Sequence, residues 1–506
     1  MDNLANFLMP VTNLNLLLLV AIGVFAGIYV GAIPGLSVAM ATALLLSLTY
    51  TWDTLDALAL IVGVYVGGVY GGARAAVLLN IPGAPAAIAT TFDGYPMALR
   101  GEAGLAIGLA TVVSVIGGLI GAFFLTFATP LISKIAVDFS HIDFFLLAML
   151  GLMLVGTLSK GSFLKAVIVA FLGINFGLVG LDGITGAHRF TFGSLELMKG
   201  INIIVAILGL FGFAEVLVQL SQSKHFKVIK QVGKLLPSMK QIIRLLPLTM
   251  RTSMIGVIVG ALPGVGGEIA ALLGYDHAKR TTKKPSRPFG EGAYEGVVGP
   301  ESANNAAVGG ALIPMLTLGI PGDAVTAIII GAFVIHGLNP GPTLMIQSPE
   351  YFYVIAGSLF LANIFLLGFG LIGIGIFKRI VMVSKGFILP VITVLTIIGA
   401  YTINNNVDDI FWMLGFGVLG YLLRVFNIPV GPLVLGIVLG PLVDKSFRGA
   451  MIAANNDVPT LLLEILTQPI SLILTIFLIV SILSNTNLYR NTKARIAAAL
   501  KGGKSG

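Results

Sequence analysis

The stretch GVIVGALPGVGGEIAALL, residues 256–273, is hydrophobic enough to lie in a lipid bilayer, yet Pro263 and four closely spaced glycines interrupt it and Glu268 follows them. Proline ends a helix because it lacks an N–H group and its ring clashes with the preceding turn. Backbone groups left unpaired at membrane depth must be satisfied by protein or by a water-filled cavity. The stretch therefore predicts two half-helices that meet at a polar site within the membrane.

The whole chain has the composition of a polytopic membrane protein. Its 506 residues are 57% hydrophobic and 10% charged, with a mean hydropathy of +1.00. A bilayer core needs about 20 apolar residues per helix, and runs of that length recur from residue 14 to residue 483, which predicts about a dozen crossings or half-crossings. No large soluble domain fits between them.

The charged residues indicate a membrane protein and not a nucleic-acid-binding one. The formal net charge is +8, but the basic residues cluster in short loops between apolar runs, as in cytoplasmic loops of membrane proteins. Nucleic acid is therefore not an expected partner. The absence of cysteine excludes disulfides and thiolate metal sites. The opening residues MDNLANFLMP lack a basic region and a cleavage site, so no removable signal peptide is expected.

Two motifs recur in the same order along the chain. GIYVGAIPG at 27–35 aligns with GVIVGALPG at 256–264, and residues 67–83 align with 306–322, both ending in Ile-Pro-Gly. The paired order predicts a duplicated unit. Glycines spaced by four residues predict close helix packing on one face. These glycines are Gly27, Gly31 and Gly35 in the first copy and Gly256, Gly260 and Gly264 in the second.

Loop charge predicts that the two copies have opposite orientations. Basic segments at 221–251 and 276–291 flank the second broken stretch, whereas Asp2, Asp53 and Asp56 flank the first without any Lys or Arg. By the positive-inside rule, one hairpin enters from the cytoplasm and the other from outside. The predicted organisation is an inverted-topology repeat with these boundaries: first copy 14–220, basic cytoplasmic connection 221–244, second copy 245–443, and last span with a basic cytoplasmic tail 444–506.

Matched Pro-Gly breaks give the predicted helical hairpins a function. Half-helix N-termini present N–H groups and positive dipole ends to an anion, and C-terminal carbonyls can hold a cation such as Na⁺. The alternative for any one break is a packing kink, since Gly and Pro are common in transmembrane helices. Four breaks in a duplicated pattern favour a binding site. The predicted fold class is an all-α polytopic membrane protein with paired hairpins broken at Pro-Gly motifs.

Two long blocks of the sequence are similar to a known family. YGGARAAVLLNIPGAPAAIATTFDGYPMALRGEA at 70–103 and FGEGAYEGVVGPESANNAAVGGALIPMLTLGIPGDAVTAIIIGAFVIHGLNPGPT at 289–343 resemble the large membrane subunit of the tripartite tricarboxylate transporters, the TctA family. The similarity covers most of the chain.

The resemblance implies a bacterial inner-membrane importer of carboxylates and not an enzyme. It implies coupling to Na⁺ or H⁺, no organic cofactor, and an elevator-like motion of the hairpin-bearing part. It also implies two partners, a small TctB-like membrane subunit and a periplasmic TctC-like solute-binding protein. Family members differ in substrate, so the carboxylate itself is left open.

The predicted substrate site combines backbone at the breaks with neutral donors suited to carboxylate oxygens. Arg74 could pair with a substrate carboxylate, or instead snorkel or pair with an acid. For Asn80 and Thr90 the alternative is local stabilisation of a turn. The residues predicted to contact substrate are Ser37, Arg74, Asn80, Pro82, Gly83, Thr90, Gly264, Gly266, Ser302, Asn304, Asn305, Pro321 and Gly322.

The predicted coupling-ion site combines carboxylates with backbone at the breaks. Glu301 and its neighbours in PESANN offer a carboxylate, a hydroxyl and two amides, more than a helix cap requires. Glu268 and Asp323 have two interpretations, a coupling role or a cap in the first turn of a helix. The residues predicted to handle the coupling ion are Gly31, Pro34, Gly35, Gly260, Pro263, Glu268, Glu301 and Asp323.

Two other functions remain open on the sequence alone. An intramembrane hydrolase that used Asp323 or Glu268 would need a second carboxylate facing the first, but Ala84 occupies the position aligned with Asp323. An ion channel or a purely structural membrane partner would not need duplicated hairpin tips. The transporter interpretation uses the duplicated hairpin tips and needs no second carboxylate facing Asp323.

Overall fold

The computed structural model describes residues 2–33, 36–158, 163–221, 233, 235–372 and 385–484. Within these ranges the chain is helical apart from loops and one pair of two-residue strands. Among the described residues, seven helices are long and apolar enough to cross a membrane, one bent helix pair can add an eighth span, and four shorter apolar helices accompany them. The predicted all-α polytopic class is confirmed.

Helix packing groups the chain into two compact units. The larger unit comprises residues 1–137 and 201–426. It contains a π-helical turn at Leu208–Phe213 and a 3₁₀ turn at Pro85–Ala87. Its helices are α1 (Asp2–Thr12), α2 (Leu14–Ala32), α3 (Val38–Leu48), α4 (Thr54–Leu79), α5 (Ile88–Leu99), α6 (Ala103–Ala136), α10 (Ile203–Ile207), α11 (Ala214–Ser221), α12 (Met239–Gly260), α13 (Gly266–Thr281), α14 (Tyr294–Leu318), α15 (Ala324–Ile335), α16 (Leu344–Gln347), α17 (Pro349–Ile372), α18 (Lys385–Asn404) and α19 (Asp408–Val425).

The smaller unit comprises residues 138–200 and 427–506. Asp182 lies in the turn of its antiparallel strand pair and accepts hydrogen bonds from Arg189, at 3.1 Å, and Arg448, at 2.5 Å. Hydrogen bonds from the Thr185 hydroxyl, the Ile184 N–H and Arg448 lower the pKa of the Asp182 carboxyl, and the charge of Arg189 adds to this effect. The elements of this unit are α7 (His141–Leu158), α8 (Phe163–Gly177), β1 (Gly180–Leu181), β2 (His188–Arg189), α9 (Leu195–Met198), α20 (Gly431–Ala453), α21 (Val458–Thr467) and α22 (Pro469–Ser484).

Helices α2 and α4 pack backbone to backbone through glycines. A Cβ atom on Gly23 would overlap Leu60, and one on Gly27 would overlap Val64, both at carbonyl oxygens. Residue numbers rise together along the two helices, so α2 and α4 run parallel. The intervening α3 must therefore lead the chain back, which makes residues 14–48 a helical hairpin.

Helices α12 and α14 repeat this arrangement. Gly256 lies against the carbonyl of Ala303, and Gly260 lies against the carbonyl of Ala307. These two helices are also parallel, so α13 returns the chain as the second arm of a hairpin over 239–281. The prediction of glycine-mediated packing is confirmed in both copies for the glycines that precede the breaks.

The other two predicted breaks interrupt the helices that follow the hairpins. Helix α4 ends at Leu79, its cap residue Asn80 has a left-handed backbone at φ 56°, and the chain then loops back so that the Gly83 N–H donates to the Gly72 carbonyl at 3.4 Å. Helix α14 ends at Leu318, its cap residue Gly319 is also left-handed at φ 71°, and Gly322 then lies against Ala311. The same eleven-residue return thus occurs at matched places.

Two boundaries differ from the sequence prediction. The predicted last span is a pair of helices that meet at 96°, because Pro469 disfavours helical backbone at Gln468, which is extended. Helix α12 begins inside the predicted connection, at Met239, since Ser238 and Gln241 form a capping box there. The repeat boundaries themselves stay a prediction.

The glycine contacts predict opposite effects for two matched substitutions. Gly67→Ala places a methyl group against the backbone of Val24 and should lower stability by about 1–3 kcal/mol. Gly368→Ala adds a methyl group in open space within α17 and should be neutral or slightly stabilising. Thermal unfolding of the purified protein, followed by size-exclusion chromatography, measures both. Equal midpoints for the two variants would contradict the packing described.

Candidate functional site

A group of polar side chains is buried where α5, α6 and α14 meet. We call it the Glu301 cluster, comprising Thr90, Ser114, Glu301, Asn304 and Asn305. None of the five exposes more than 1% of its surface. Such burial of a carboxylate, two hydroxyls and two amides among apolar helices requires that they satisfy one another.

Glu301 is held by hydroxyl groups from two other helices. The Thr90 hydroxyl donates to one carboxyl oxygen, and Ser114 Oγ lies 3.3 Å from the other. Among the residues that the structure describes, no Lys, Arg or His forms an ion pair with Glu301. A buried carboxylate without a basic partner is costly, which favours uptake of a proton or a cation.

The two amides extend this cluster to a helix break. Asn305 Nδ2 lies 3.1 Å from the Glu301 carbonyl, which can only accept, and this contact fixes the orientation of the amide. The same nitrogen donates to Ser114 Oγ at 2.9 Å and to Asn304 Oδ1 at 2.7 Å. Asn304 Nδ2 in turn lies 3.4 Å from the Ala86 carbonyl. A hydrogen-bonded chain thus joins Glu301 to the turn after the first Ile-Pro-Gly.

The tips of the second hairpin and of the second Ile-Pro-Gly break meet beside the cluster. The Gly264 N–H donates to the Pro321 carbonyl at 3.1 Å. Gly264 and Gly266 have positive φ angles of 76° and 64°, which glycine adopts without strain. Gly266 lies against Asp323, and Gly267 lies near Asn304. The structure therefore brings these two breaks of the second copy together, and their role in binding substrate or ion stays a prediction.

The first half has a similar contact between breaks. Gly83 lies against the carbonyl of Gly31 and against Gly72. Pro34 and Gly35, predicted for the coupling ion, lie outside the described residues. Pro82 is half-buried beside this contact, whereas Pro263 is buried at the second hairpin tip.

Asp323 caps α15 and also accepts a hydrogen bond from α4. Its side chain accepts from the Thr326 N–H at 2.8 Å in a reciprocal capping box, which confirms the capping interpretation. The Tyr65 hydroxyl of α4 donates to the other carboxyl oxygen. Glu268, by contrast, is exposed in the first turn of α13. The coupling roles of both acids stay predictions.

Arg74 is fully buried against α17. Its guanidinium donates to the backbone carbonyls of Phe369, at 3.0 Å, and Gly370, at 2.7 Å, both on that helix. The Tyr70 ring adds a cation–π contact at 5.4 Å. A substrate contact by Arg74 would require release of these carbonyls.

The remaining predicted residues have local partners. Ser37 caps α3 by accepting from the Met40 N–H at 3.0 Å. Asn80 is the exposed C-cap of α4, as its turn interpretation predicts. Ser302 faces away from the Glu301 cluster toward α12, where its hydroxyl lies 2.6 Å from that of Thr252.

Sequence reasoning missed several members of this region. Ser114, Thr252 and Tyr65 were not singled out, because one hydroxyl in an apolar run resembles many others. Asp93 carried a clearer signal, because it is the one carboxylate in the segment 88–99. Its Oδ1 accepts three backbone N–H groups, those of Gly290, Gly292 and Ala293 at 2.8–2.9 Å.

Asp93 and a nearby ion pair close the region on the side predicted to be cytoplasmic. Arg287 binds Glu102 through two hydrogen bonds of 2.5 and 2.7 Å. These hydrogen bonds hold the pKa of the Glu102 carboxyl below its usual value, against an opposing effect of burial. The loop before α14 is therefore fastened to the α5–α6 turn.

Comparison with known proteins identifies a family for nearly the whole chain. The model of the tripartite tricarboxylate transporter TctA family matches residues 17–435. An Agrobacterium vitis protein, described as an uncharacterized 52.8 kDa protein in the TAR-I ttuC' 3'region, is 38% identical over 437 residues, which cover 86% of this chain and 87% of the relative.

A second Agrobacterium vitis protein is similar over a shorter part. Described as an uncharacterized protein in the TAR-II ttuC' 3'region, it is 41% identical over 202 residues, which cover 40% of this chain and 83% of the relative. No solved structure matches the chain.

Adjacent threonines on α5 provide a matched test of the Glu301 cluster. Thr90→Val removes the hydroxyl that donates to Glu301, so a buried carboxyl oxygen loses its partner at a cost of about 1–3 kcal/mol. Thr91→Val removes only a bond to its own helix, at the Ile88 carbonyl, and should cost less. Thermal unfolding of both variants is the measurement. A larger loss for Thr91→Val would contradict the assigned contacts.

Proposed function

Since the chain belongs to the TctA family of tripartite tricarboxylate transporters, we propose that it is the substrate-translocating subunit of a secondary importer of carboxylates, driven by a Na⁺ or H⁺ gradient. The family consists of large transporter subunits and not of enzymes. It implies a small TctB-like membrane subunit and a periplasmic TctC-like solute-binding protein as partners. We place this multi-pass chain in a bacterial inner membrane.

The observation that carries the proposal is the position of the Glu301 cluster beside the helix breaks. Helix α15 begins immediately after one break, and α5 follows the turn at another, so their N-terminal dipole ends favour an anionic substrate there. Glu301 supplies a negative group for the driving cation. A carboxylate and a cation bound together reduce the net charge that must cross the low-dielectric membrane. Mutual charge compensation is thus a physical basis for coupling.

Helix directions support an inverted arrangement of the two hairpin units. Thr90 meets Glu301 and Gly94 meets Val297, so α5 runs antiparallel to α14. Ala87, just before α5, lies near Gly72 on α4.

A second contact gives the direction of α4. Further along both helices Gly94 lies against Val77, so α4 and α5 run parallel. Consequently α2 and α4 run opposite to α12 and α14. We infer an inverted-topology repeat whose hairpins enter from opposite faces, and an elevator-like movement of the hairpin-bearing part that exposes the site to each side in turn.

The inversion predicts a labelling pattern that is simple to test, because the chain contains no cysteine. Single cysteines at Thr12 and Thr51, exposed at the two ends of the first hairpin, should react with an impermeant maleimide in intact cells. Cysteines at Ser238 and Thr281, exposed at the ends of the second hairpin, should react only after permeabilisation. Labelling of Thr12→Cys and Ser238→Cys from the same side would contradict the inversion.

The transport function predicts a specific defect for Glu301→Gln. In proteoliposomes with both partner subunits, the wild type should accumulate a radiolabelled carboxylate only when a cation gradient is imposed. Glu301→Gln should abolish accumulation, because an amide cannot take up and release the cation. Asp276→Asn is the control, since that carboxylate is exposed and pairs only locally with Arg280 at 2.9 Å.

The same assay separates the alternatives. Exchange of internal for external substrate that survives in Glu301→Gln indicates a proton, because the amide resembles the protonated acid. Loss of exchange together with a Na⁺ requirement in the wild type indicates Na⁺. Wild-type uptake that needs neither gradient nor binding protein would be channel behaviour and would contradict the proposal.

A further inference from the structure

Tyr65 carries a buried hydroxyl that the proposed function does not use. It lies on α4 in the first copy, is 2% exposed, and donates to the Asp323 carboxyl beside the second Ile-Pro-Gly break. The other oxygen of that carboxyl accepts from the Thr326 N–H at 2.8 Å. Asp323 is therefore held between its own helix, α15, and a helix of the other copy.

Asn304 makes the reciprocal contact from the second copy. The offset of 239 residues that aligns 67–83 with 306–322 also aligns Tyr65 with Asn304, two residues before the motif. Asn304 Nδ2 lies 3.4 Å from the carbonyl of Ala86, in the turn after the first Ile-Pro-Gly. From the same aligned position, each copy thus extends a side chain to the break of the other copy.

The hairpin arms pack in the same crossed pattern. Helix α3 of the first hairpin packs against α15, where Leu46 lies near Gly331. Helix α13 of the second hairpin packs against α5, where the Tyr275 and Phe92 rings lie 5.2 Å apart. The helix that follows each break is therefore packed against the hairpin of the other copy. Contacts between the copies, Tyr65 with Asp323 among them, set the relative position of the two breaks.

The Tyr65 hydroxyl determines where the Asp323 carboxyl group points. The proposed function places an anionic substrate group at the start of α15, and Asp323 lies at that same place. Among the described residues, none accepts a hydrogen bond from the N–H groups of Ala324 and Val325. A carboxylate released from Tyr65 would turn toward these N–H groups, which attract anions, and would compete with substrate.

We propose that Tyr65 is a positioning residue for substrate binding. Its hydrogen bond holds the Asp323 carboxylate against α4 and leaves the start of α15 to a carboxylate of the substrate. Tyr65 acts through Asp323 and not by contact with substrate. A phenol suits this role, because a neutral hydroxyl on a rigid ring fixes the carboxylate without an ion pair. The inference rests on the proposed function, since it concerns the same anion.

Uptake of radiolabelled citrate and succinate into proteoliposomes that contain both partner subunits tests this role. Tyr65→Phe should raise KM about tenfold for the better substrate, the effect of losing one hydrogen bond to a charged group, with the maximal rate unchanged. Tyr65→Phe combined with Asp323→Asn should reverse most of this rise, because the competing charge is gone. Tyr401→Phe is the matched control, since it removes the same hydroxyl from a side chain that is 42% exposed on α18.

Asp323→Asn alone provides a second variant if Tyr65→Phe fails to fold, which size-exclusion chromatography would reveal. The amide can still cap α15 and bond to Tyr65, but it no longer repels the substrate, so KM should fall. A rise in KM or loss of uptake in Asp323→Asn would overturn the inference, because Asp323 would then bind substrate or ion directly. An unchanged KM in a folded Tyr65→Phe, or a double variant without recovery, would overturn it as well.

A double-mutant cycle of thermal unfolding tests the bond between the copies without substrate. Tyr65→Phe and Asp323→Ala should each lower the unfolding midpoint, and together they should lower it by less than the sum, because both remove the same hydrogen bond. Additive losses would overturn the inference and leave the proposed function intact. Wild-type protein that takes up neither carboxylate would instead overturn the proposed function, and the inference with it.

Discussion

The rest of the structure depends on one constraint, that a peptide group freed by a broken helix cannot be left to lipid. Each described break is enclosed by backbone from a neighbouring helix or tip. Gly83 lies against Gly31, and Gly264 bonds to the carbonyl of Pro321. Such proximity is available only where side chains are absent. The glycine-rich faces of α2, α4, α12 and α14 therefore serve the breaks as much as they serve helix packing.

The same enclosure concentrates polar chemistry around Glu301. Its hydrogen-bond partners come from α5 and α6, and the amides of Asn304 and Asn305 extend the chain of bonds to the turn after the first Ile-Pro-Gly. Hydroxyls stabilise a carboxyl group without neutralising it. An arginine in their place would bind the charge permanently, whereas hydroxyls leave it able to exchange a proton or a cation.

Buried charge elsewhere in the unit is handled differently. Arg74 is stabilised by two backbone carbonyls of α17 and by Tyr70, and Asp93 by three backbone N–H groups. Both are compensated by backbone dipoles that cannot leave. Comparing these three residues shows why burial alone does not identify a coupling group: Glu301 is bound through side-chain hydroxyls, whereas Arg74 and Asp93 are bound mainly through backbone groups.

The sequence by itself determined the membrane class, the positions of the breaks and the glycine faces, because each depends on neighbouring residues along one chain segment. Hydropathy, Pro-Gly pairs and four-residue glycine spacing are local properties. It also indicated Glu301, since a carboxylate in an apolar run is rare. Only the tertiary structure decided which hydroxyls meet that carboxylate, where Arg74 points, and that Tyr65 of one copy bonds to Asp323 of the other. Thr90 and Ser114 are far from Glu301 in the chain. The role of a hydroxyl in an apolar helix depends on which side chains of the neighbouring helix it contacts.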